Sequence, residues 1–319
     1  MFDLLALEAA ASRLYRIMPP TPQFAWPLLA ARCGAEVWVK HENHTPTGAF
    51  KVRGGLVLLE TLQRARPGLP GVISATRGNH GQSLAFAGAR LGIPVTILVP
   101  HGNSVEKNAA MRALGARLLE YGADFDEARQ EAARLAGAEG LVFAPSFAPE
   151  LVLGVATYAL ELFRGAPGLD ALYVPIGLGS GICGCILARD LLGLTTEIIG
   201  VESTEAGSYG KSLAAGRRVT LNSAATQADG IATREPDAAA LEIISRGAAR
   251  VVSVTEDEIA AAIRAYWQDT HNLAEGAGAA PLAALLREKG RMAGKRIGLV
   301  LSGGNIDLAL FRDWVLAGA

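Results

Sequence analysis

Short runs of alternating or mostly apolar residues recur along this chain, separated by longer stretches with an apolar residue every three or four positions. Glu36-Val37-Trp38-Val39-Lys40 has the period of two that sends successive side chains to opposite faces, so it predicts a strand. Mostly apolar runs at 71–74, 95–99, 141–143, 171–176, 197–201 and 296–301 predict further strands, and 117–120 and 250–254, each opened by Arg, extend the set. Helical spacing covers 3–17, 54–65, 83–91, 104–114, 124–137, 150–163, 182–192, 256–269 and 278–288. Pro19-Pro20 end the first helix, and the second is read as starting just past Gly54-Gly55. Residues 203–235 carry no regular period and read as loop. Strand and helix in close alternation predict α/β architecture with parallel, doubly wound sheets. We expect two domains of unequal size, one of residues 48–150 and one of 1–47 with 151–319, and a ligand site in the cleft between them.

Composition narrows the function classes. The 319 residues are 50% hydrophobic, enough for a large core, and 30 basic against 31 acidic residues give a net charge of -1. That balance argues against a broad nucleic-acid surface but leaves room for a small anionic ligand held by a helix N-terminus. Cys33, Cys183 and Cys185 are too few for a disulfide framework, and the C-x-C pair lacks further metal ligands nearby. Asp3, Glu8 and Arg13 interrupt the N-terminal segment, so it is not a signal peptide. The uncharged stretch 171–188 contains Pro175 and four glycines, which argues against a membrane span. A soluble, cytoplasmic protein is expected.

Four segments at predicted strand ends or turns carry candidate chemistry. In Thr47-Gly48-Ala49-Phe50-Lys51-Val52-Arg53-Gly54, Lys51 lies among small and apolar residues, where desolvation would expose a nucleophilic neutral amine. An ordinary surface lysine explains the same position. In Ser74-Ala75-Thr76-Arg77-Gly78-Asn79-His80-Gly81-Gln82, a helix start offers unpaired N–H groups to a carboxylate, although a polar helix cap needs no ligand. In Gly177-Leu178-Gly179-Ser180-Gly181-Ile182-Cys183-Gly184, successive N–H groups make a phosphate cup. Gly179-x-Gly181-x-x-Gly184, with Glu202 further on, also has the spacing of a dinucleotide site. Ser302-Gly303-Gly304-Asn305 puts a hydroxyl at the end of the last strand. Glu275 precedes a helix and is either a carboxylate near the ligand or a favourable helix start. Gly177-Leu178-Gly179-Ser180-Gly181 lacks the central serine of a hydrolase elbow, and no Walker lysine follows it.

In the same order and over nearly the whole chain, these segments resemble the fold-type-II pyridoxal-phosphate (PLP) enzymes, and most closely the threonine/serine dehydratase family. The resemblance implies a tryptophan-synthase-β-like fold with the PLP site in the cleft. It implies Lys51 as the catalytic Schiff-base lysine. Phe50, Asn79, Gly177, Leu178, Gly179, Ser180, Gly181, Glu275 and Ser302 would bind the cofactor, with Ser302 on the pyridine nitrogen. Thr76, Arg77, Gly78, Asn79 and His80 would bind the substrate carboxylate. Arg77 departs from the small residue usual there, and being a poor base at neutral pH it argues against racemisation. The divalent-metal loop of some relatives would fall at Glu202, Ala206 and Ser208. Ser208 replaces an expected aspartate, so no metal, or a monovalent cation in place of Mg²⁺, is expected. The chain ends 14 residues after Asn305, which implies no regulatory C-terminal domain of the biosynthetic dehydratases.

The expected activity is dehydration and deamination of L-threonine or L-serine to a 2-oxo acid and ammonia, by a homodimer acting on a free amino acid. A neutral Ser302 hydroxyl at the ring nitrogen would favour prompt elimination over transamination. The alternatives are the same chemistry on an aryl-serine or 3-hydroxyaspartate, β-replacement, and, from another class, a dinucleotide-binding oxidoreductase.

Overall fold

The computed structural model describes residues 1–317. Among the described residues, ten strands form two sheets: β1 (Gln23–Ala25), β2 (Glu36–His41), β3 (Val72–Ala75), β4 (Val95–Val99), β5 (Arg117–Glu120), β6 (Val142–Phe143), β7 (Ala171–Pro175), β8 (Glu197–Ser203), β9 (Ala248–Val254) and β10 (Arg296–Leu301). A six-stranded sheet has the order β1-β2-β10-β7-β8-β9, and a four-stranded sheet the order β5-β4-β3-β6. All pairings are parallel except that of β1 with β2. The doubly wound α/β expectation is thus met.

The alternation read from the sequence sorts side chains between two cores. Val37 and Val39 of β2, Tyr173 of β7 and Leu299 of β10 enter one core with the helices Glu256–Thr270 and Gly276–Arg287. Leu172 and Val174 of β7 and Val300 of β10 enter the other, with Pro149–Gly165 and Ser180–Leu191. The smaller sheet is sandwiched in the same way. Val95, Ile97 and Val99 face the helices Lys51–Ala65 and Asn79–Leu91, while Ile73 and Leu98 face the alanine stripe of Phe125–Glu139. Each fully buried aliphatic side chain contributes on the order of 1.5–3 kcal/mol.

Several boundaries differ from the sequence reading, for physical reasons. The second helix begins at Lys51, not past Gly54-Gly55. Those glycines sit inside it where neighbouring helices cross closely. A Cβ on Gly55 would lie 2.1 Å from Ser83 Oγ, and one on Gly54 3.0 Å from the Leu151 carbonyl oxygen. The next helix begins at Asn79, because Asn79, Gly81 and Gln82 carry no apolar period although they belong to its first turn. Residues 203–235 are not all loop: Ser208–Ala215 is a helix. Its first N–H groups, on Tyr209 and Gly210, donate to the carboxylate of Glu202, a tertiary cap that local sequence does not reveal. β1 and the helices Pro27–Cys33 and Ala238–Gly247 were also not foreseen. Among the described residues no helix is long and apolar enough to cross a membrane.

Candidate active site

Three strand-to-helix or strand-to-loop turns converge with the start of the Lys51 helix. The residues before that helix pair with those after β10. Ala49 bridges Gly303, Phe50 N–H donates to the Ser302 carbonyl at 2.9 Å, and Gly304 N–H donates to Gly48. Lys51 therefore leaves the edge of the six-stranded sheet beside buried Ser302. Its Nζ donates to Ser180 Oγ at 3.0 Å, the first helical residue after the glycine turn. Residue 51 as a whole is partly accessible, but its amine end is enclosed, and that burial pushes its pKa down to about 8. The Phe50 ring lies 5.0 Å from the amine and meets Tyr158 edge-on at 6.0 Å.

The glycine turn needs its glycines at specific points. Gly179 has φ +101°, a conformation L side chains rarely adopt. A Cβ on Gly177 would lie 2.5 Å from the Gly230 carbonyl oxygen, so the turn lies directly against the 229–231 loop. Tyr209 Oη donates to the Leu178 carbonyl at 3.0 Å and steadies the turn from behind. After Gly179, the 12-residue helix Ser180–Leu191 leaves its first N–H groups free for an anion. Cys183, in its first turn, is buried and its thiol is pushed well up, so it is not a reactive thiolate.

The 76–80 turn opens the helix Asn79–Leu91, with Thr76 Oγ1 accepting from Gly78 N–H at 3.1 Å. Both ends of the Asn79 amide are fixed. Its Nδ2 donates to Glu275 Oε1 at 2.7 Å, and its Oδ1 accepts from Asn305 Nδ2 at 2.8 Å. Asn305 also donates to the Thr47 carbonyl, so the amide is tied to the Lys51 segment. His80 is buried with neither ring nitrogen hydrogen-bonded among the described residues, and burial beside Lys51 lowers its pKa to about 3, keeping it neutral. Arg77 is exposed, forms no ion pair among the described residues, and lines a cleft of about 250 Å³. That cleft is also walled by His101, Lys107, Asp229, Glu275 and Asn305.

A largely buried ion network anchors the lysine helix two residues on. Arg53 donates Nε to Glu42 at 2.8 Å and Nη1 to Glu161 at 2.7 Å, and Lys40 donates to Glu161 at 2.6 Å. Arg53 Nη2 donates to both carboxylates as well, and the Thr21 and Thr157 hydroxyls accept two further guanidinium bonds.

The structure thus brings Phe50, Lys51, Gly177, Leu178, Gly179, Ser180, Gly181 and Ser302 together, with Thr76, Gly78, Asn79 and His80 opposite and Glu275 reaching from beside Gly303 to Asn79. Glu202, Ala206 and Ser208 do not converge on this site. The Glu202 carboxylate is occupied by Tyr209, Gly210 and Ser253, and no cluster of three His, Cys, Asp or Glu suited to a metal occurs among the described residues. Lys107 and Asp229 were given no role from the sequence, and Asn305 was noted only as the end of the Ser302 segment. Lys107 sits in an ordinary polar helical stretch, and its burial arises from tertiary contacts, with Gly78 along its stem and Asp229 and Glu275 at its ammonium.

A family model described as pyridoxal-phosphate dependent enzyme matches residues 15–303. The chain is 38% identical over 310 residues to the L-threonine ammonia-lyase of Geobacter sulfurreducens, covering 97% of this chain and 77% of that one. It is 34% identical over 301 residues to the L-threo-3-hydroxyaspartate ammonia-lyase of a Pseudomonas species, covering 94% of each. The solved structure of the processed form of threonine deaminase isoform 2 from Solanum lycopersicum matches with a TM-score of 0.91 at 31% identity, covering 99% of this chain and 94% of that chain.

Fold and site together define a fold-type-II PLP enzyme that performs β-elimination. The chain belongs to the PLP-dependent ammonia-lyase and dehydratase family. The dinucleotide reading of the glycine turn is set aside: Glu202, the acid it required for a ribose, is already hydrogen-bonded within the chain.

Proposed function

We propose that this enzyme removes water and then ammonia from a small β-hydroxy amino acid, L-threonine or L-serine, giving a 2-oxo acid. The observation that carries the reading is the approach of Lys51 Nζ to Ser180 Oγ at 3.0 Å, which puts the amine and the glycine turn in one enclosed volume. PLP suits these residues: a desolvated amine, a turn closed by left-handed Gly179, a helix N-terminus behind it and a buried serine at the far side. In this reading Lys51 carries the cofactor, residues 177–181 hold its phosphate, and Phe50, Asn79, Glu275 and Ser302 surround its ring.

Bound PLP supplies the electron sink for charge developing at the substrate Cα. The chain supplies geometry and proton handling. The free N–H groups at the start of the Asn79 helix, with Thr76 and Gly78, hold the α-carboxylate and so fix which substrate bond is aligned for cleavage. Lys51, brought near neutrality by burial, accepts the α-proton at Nζ.

A second reading replaces threonine with L-threo-3-hydroxyaspartate. It is favoured by Arg77, a guanidinium without an ion pair among the described residues, on the wall of the cleft. We further propose a homodimer, with exposed Phe24, Leu28 and Trp267 as the face to test by sedimentation of single substitutions.

The test has two parts. Purified enzyme with PLP is reduced with borohydride and digested, and the mass increment is expected on Lys51. A panel of L-threonine, L-serine, L-threo-3-hydroxyaspartate and phenylserine is then followed by 2-oxo acid release. Highest kcat/KM for threonine or serine supports the first reading. Preference for hydroxyaspartate by about tenfold, lost in Arg77→Ala, replaces it with the second; tenfold corresponds to about 1.4 kcal/mol. An increment on another lysine overturns both.

A further inference from the structure

We propose that Lys107 is a positioning residue of this site: from the four-stranded unit it reaches across the cleft and holds Glu275 against Asn79 while the two units are closed on each other. Lys107 lies on the helix Val105–Ala113, which packs beside the four-stranded sheet, while Glu275 and Asp229 belong to the six-stranded unit. Its ammonium is 2.5 Å from Asp229 Oδ2 and 3.6 Å from Glu275 Oε2, and residue 107 is 7% exposed. The stem runs along Gly78, where a Cβ would come within 2.4 Å of Lys107 Cδ. Lys107 therefore touches the substrate-side turn and the carboxylate that orients Asn79.

The same helix end is stitched to the other unit twice more. Ser104 Oγ donates to Asp307 Oδ1 at 2.5 Å, and Leu308 N–H donates to Glu106 Oε1 at 2.9 Å. Opening of the cleft would pull Lys107 away from both carboxylates together. Glu275 would then lose its cation and its bond to Asn79 in the same motion.

Charge makes this matter. One ammonium lies between two carboxylates, and Asp229 holds it more closely. Glu275 is 3% exposed, and its Oε2 has no hydrogen bond among the described residues. Burial pushes the Glu275 carboxyl up to about 7, Lys107 opposes that rise and Asp229 adds to it. The charged groups facing this cluster are Lys107, Asp229 and Asp307, with Arg77 and His101 on the cleft wall. In its ionised form Glu275 gives Asn79 a charge-assisted bond, roughly twice as strong as the neutral one. Protonation weakens that bond and loosens the amide beside the cofactor position. Activity should thus fall as pH drops through the Glu275 value. An opposite charge at this range lowers a carboxyl by about 1–3 units, so its removal should move the fall to higher pH.

The experiment rests on the β-elimination reading for its kinetic arm and is independent of it for its spectroscopic arm. With PLP-loaded enzyme, the acid limb of kcat/KM is measured beside the ¹³C titration of the Glu275 carboxyl and the PLP affinity from absorbance. Lys107→Met should raise both limb and titration by about one unit or more and weaken PLP. Lys107→Arg should return them toward wild type. Asp229→Asn, which leaves the whole ammonium to Glu275, should lower both, and this opposite sign keeps the test alive if Lys107→Met does not fold. Variants that slow turnover equally at every pH and leave the ¹³C titration unmoved would make Lys107 a structural contact only and overturn the inference. A wild-type enzyme inactive on every β-hydroxy acid would sink the functional reading, and the ¹³C titration would still decide this one.

Discussion

Arg53, Lys40, Glu42 and Glu161 form one cluster of basic and acidic side chains, and Lys107, Asp229 and Glu275 form another, in which Asp229 is partly exposed. The first has two cations for two carboxylates, with threonine hydroxyls accepting two further guanidinium bonds. The second has one cation for two carboxylates and leaves Glu275 Oε2 without a hydrogen bond among the described residues. One carboxyl from each responds in an opposite direction: Arg53 and Lys40 overcome burial and hold Glu161 below its ordinary value, while burial prevails at Glu275 and raises it. A matched set of charges makes a scaffold; a mismatched set beside a cleft leaves a group able to change protonation near neutrality.

Breaking the matched cluster should have the largest effect. Arg53→Met leaves two buried carboxylates with only Lys40 to balance them, and should cost about 3–5 kcal/mol in urea unfolding. A loss under about 1 kcal/mol would show that water reaches this cluster and that the comparison is drawn too sharply. Next comes Gly154→Ala, whose Cβ would meet the Arg53 carbonyl at 2.3 Å. Overpacking there should cost about 1–3 kcal/mol, measured by the same unfolding.

Smaller, and opposite in sign, is Glu275→Gln. A carboxyl raised on folding contributes stability that is complete below its unfolded value and is lost as pH rises through the folded one. Wild type should therefore lose ground to Glu275→Gln in paired thermal melts as pH climbs from about 4 toward 7. For Glu161, held low, the contribution is present above the ordinary carboxylate value and disappears as pH falls. A gap that stayed flat across this window would remove the distinction between the clusters. Least affected should be the stability of Arg77→Ala, within about 0.5 kcal/mol, since Arg77 is exposed and forms no ion pair among the described residues.

The sheets were legible because alternation reports which face a strand residue occupies: Val37 and Val39 against Trp38 sort as their period requires. Lys51, the glycine turn and Ser302 were legible because unusual small-residue patterns surround them. The start of the lysine helix was not, because Gly54 and Gly55 read locally as a break when their role is interhelical. Nor was Lys107 legible: its segment, Ser104-Val105-Glu106-Lys107-Asn108, looks like any solvated helix start. What makes it special is a carboxylate 168 positions later in the chain. Glu275 was noticed, yet its link to Asn79 joins residues 196 positions apart, and no local pattern encodes that contact.

The helices Lys51–Ala65, Asn79–Leu91 and Pro149–Gly165 meet at Gly54, Gly55 and Gly154 with almost no side-chain layer between them. A joint made of bare main chain behaves like a keyed shaft, with little slack for sliding or rolling. Variants that accommodate a bulkier substrate would accordingly have to change the loops at the rim, because the axle that carries residue 51 has nowhere to go.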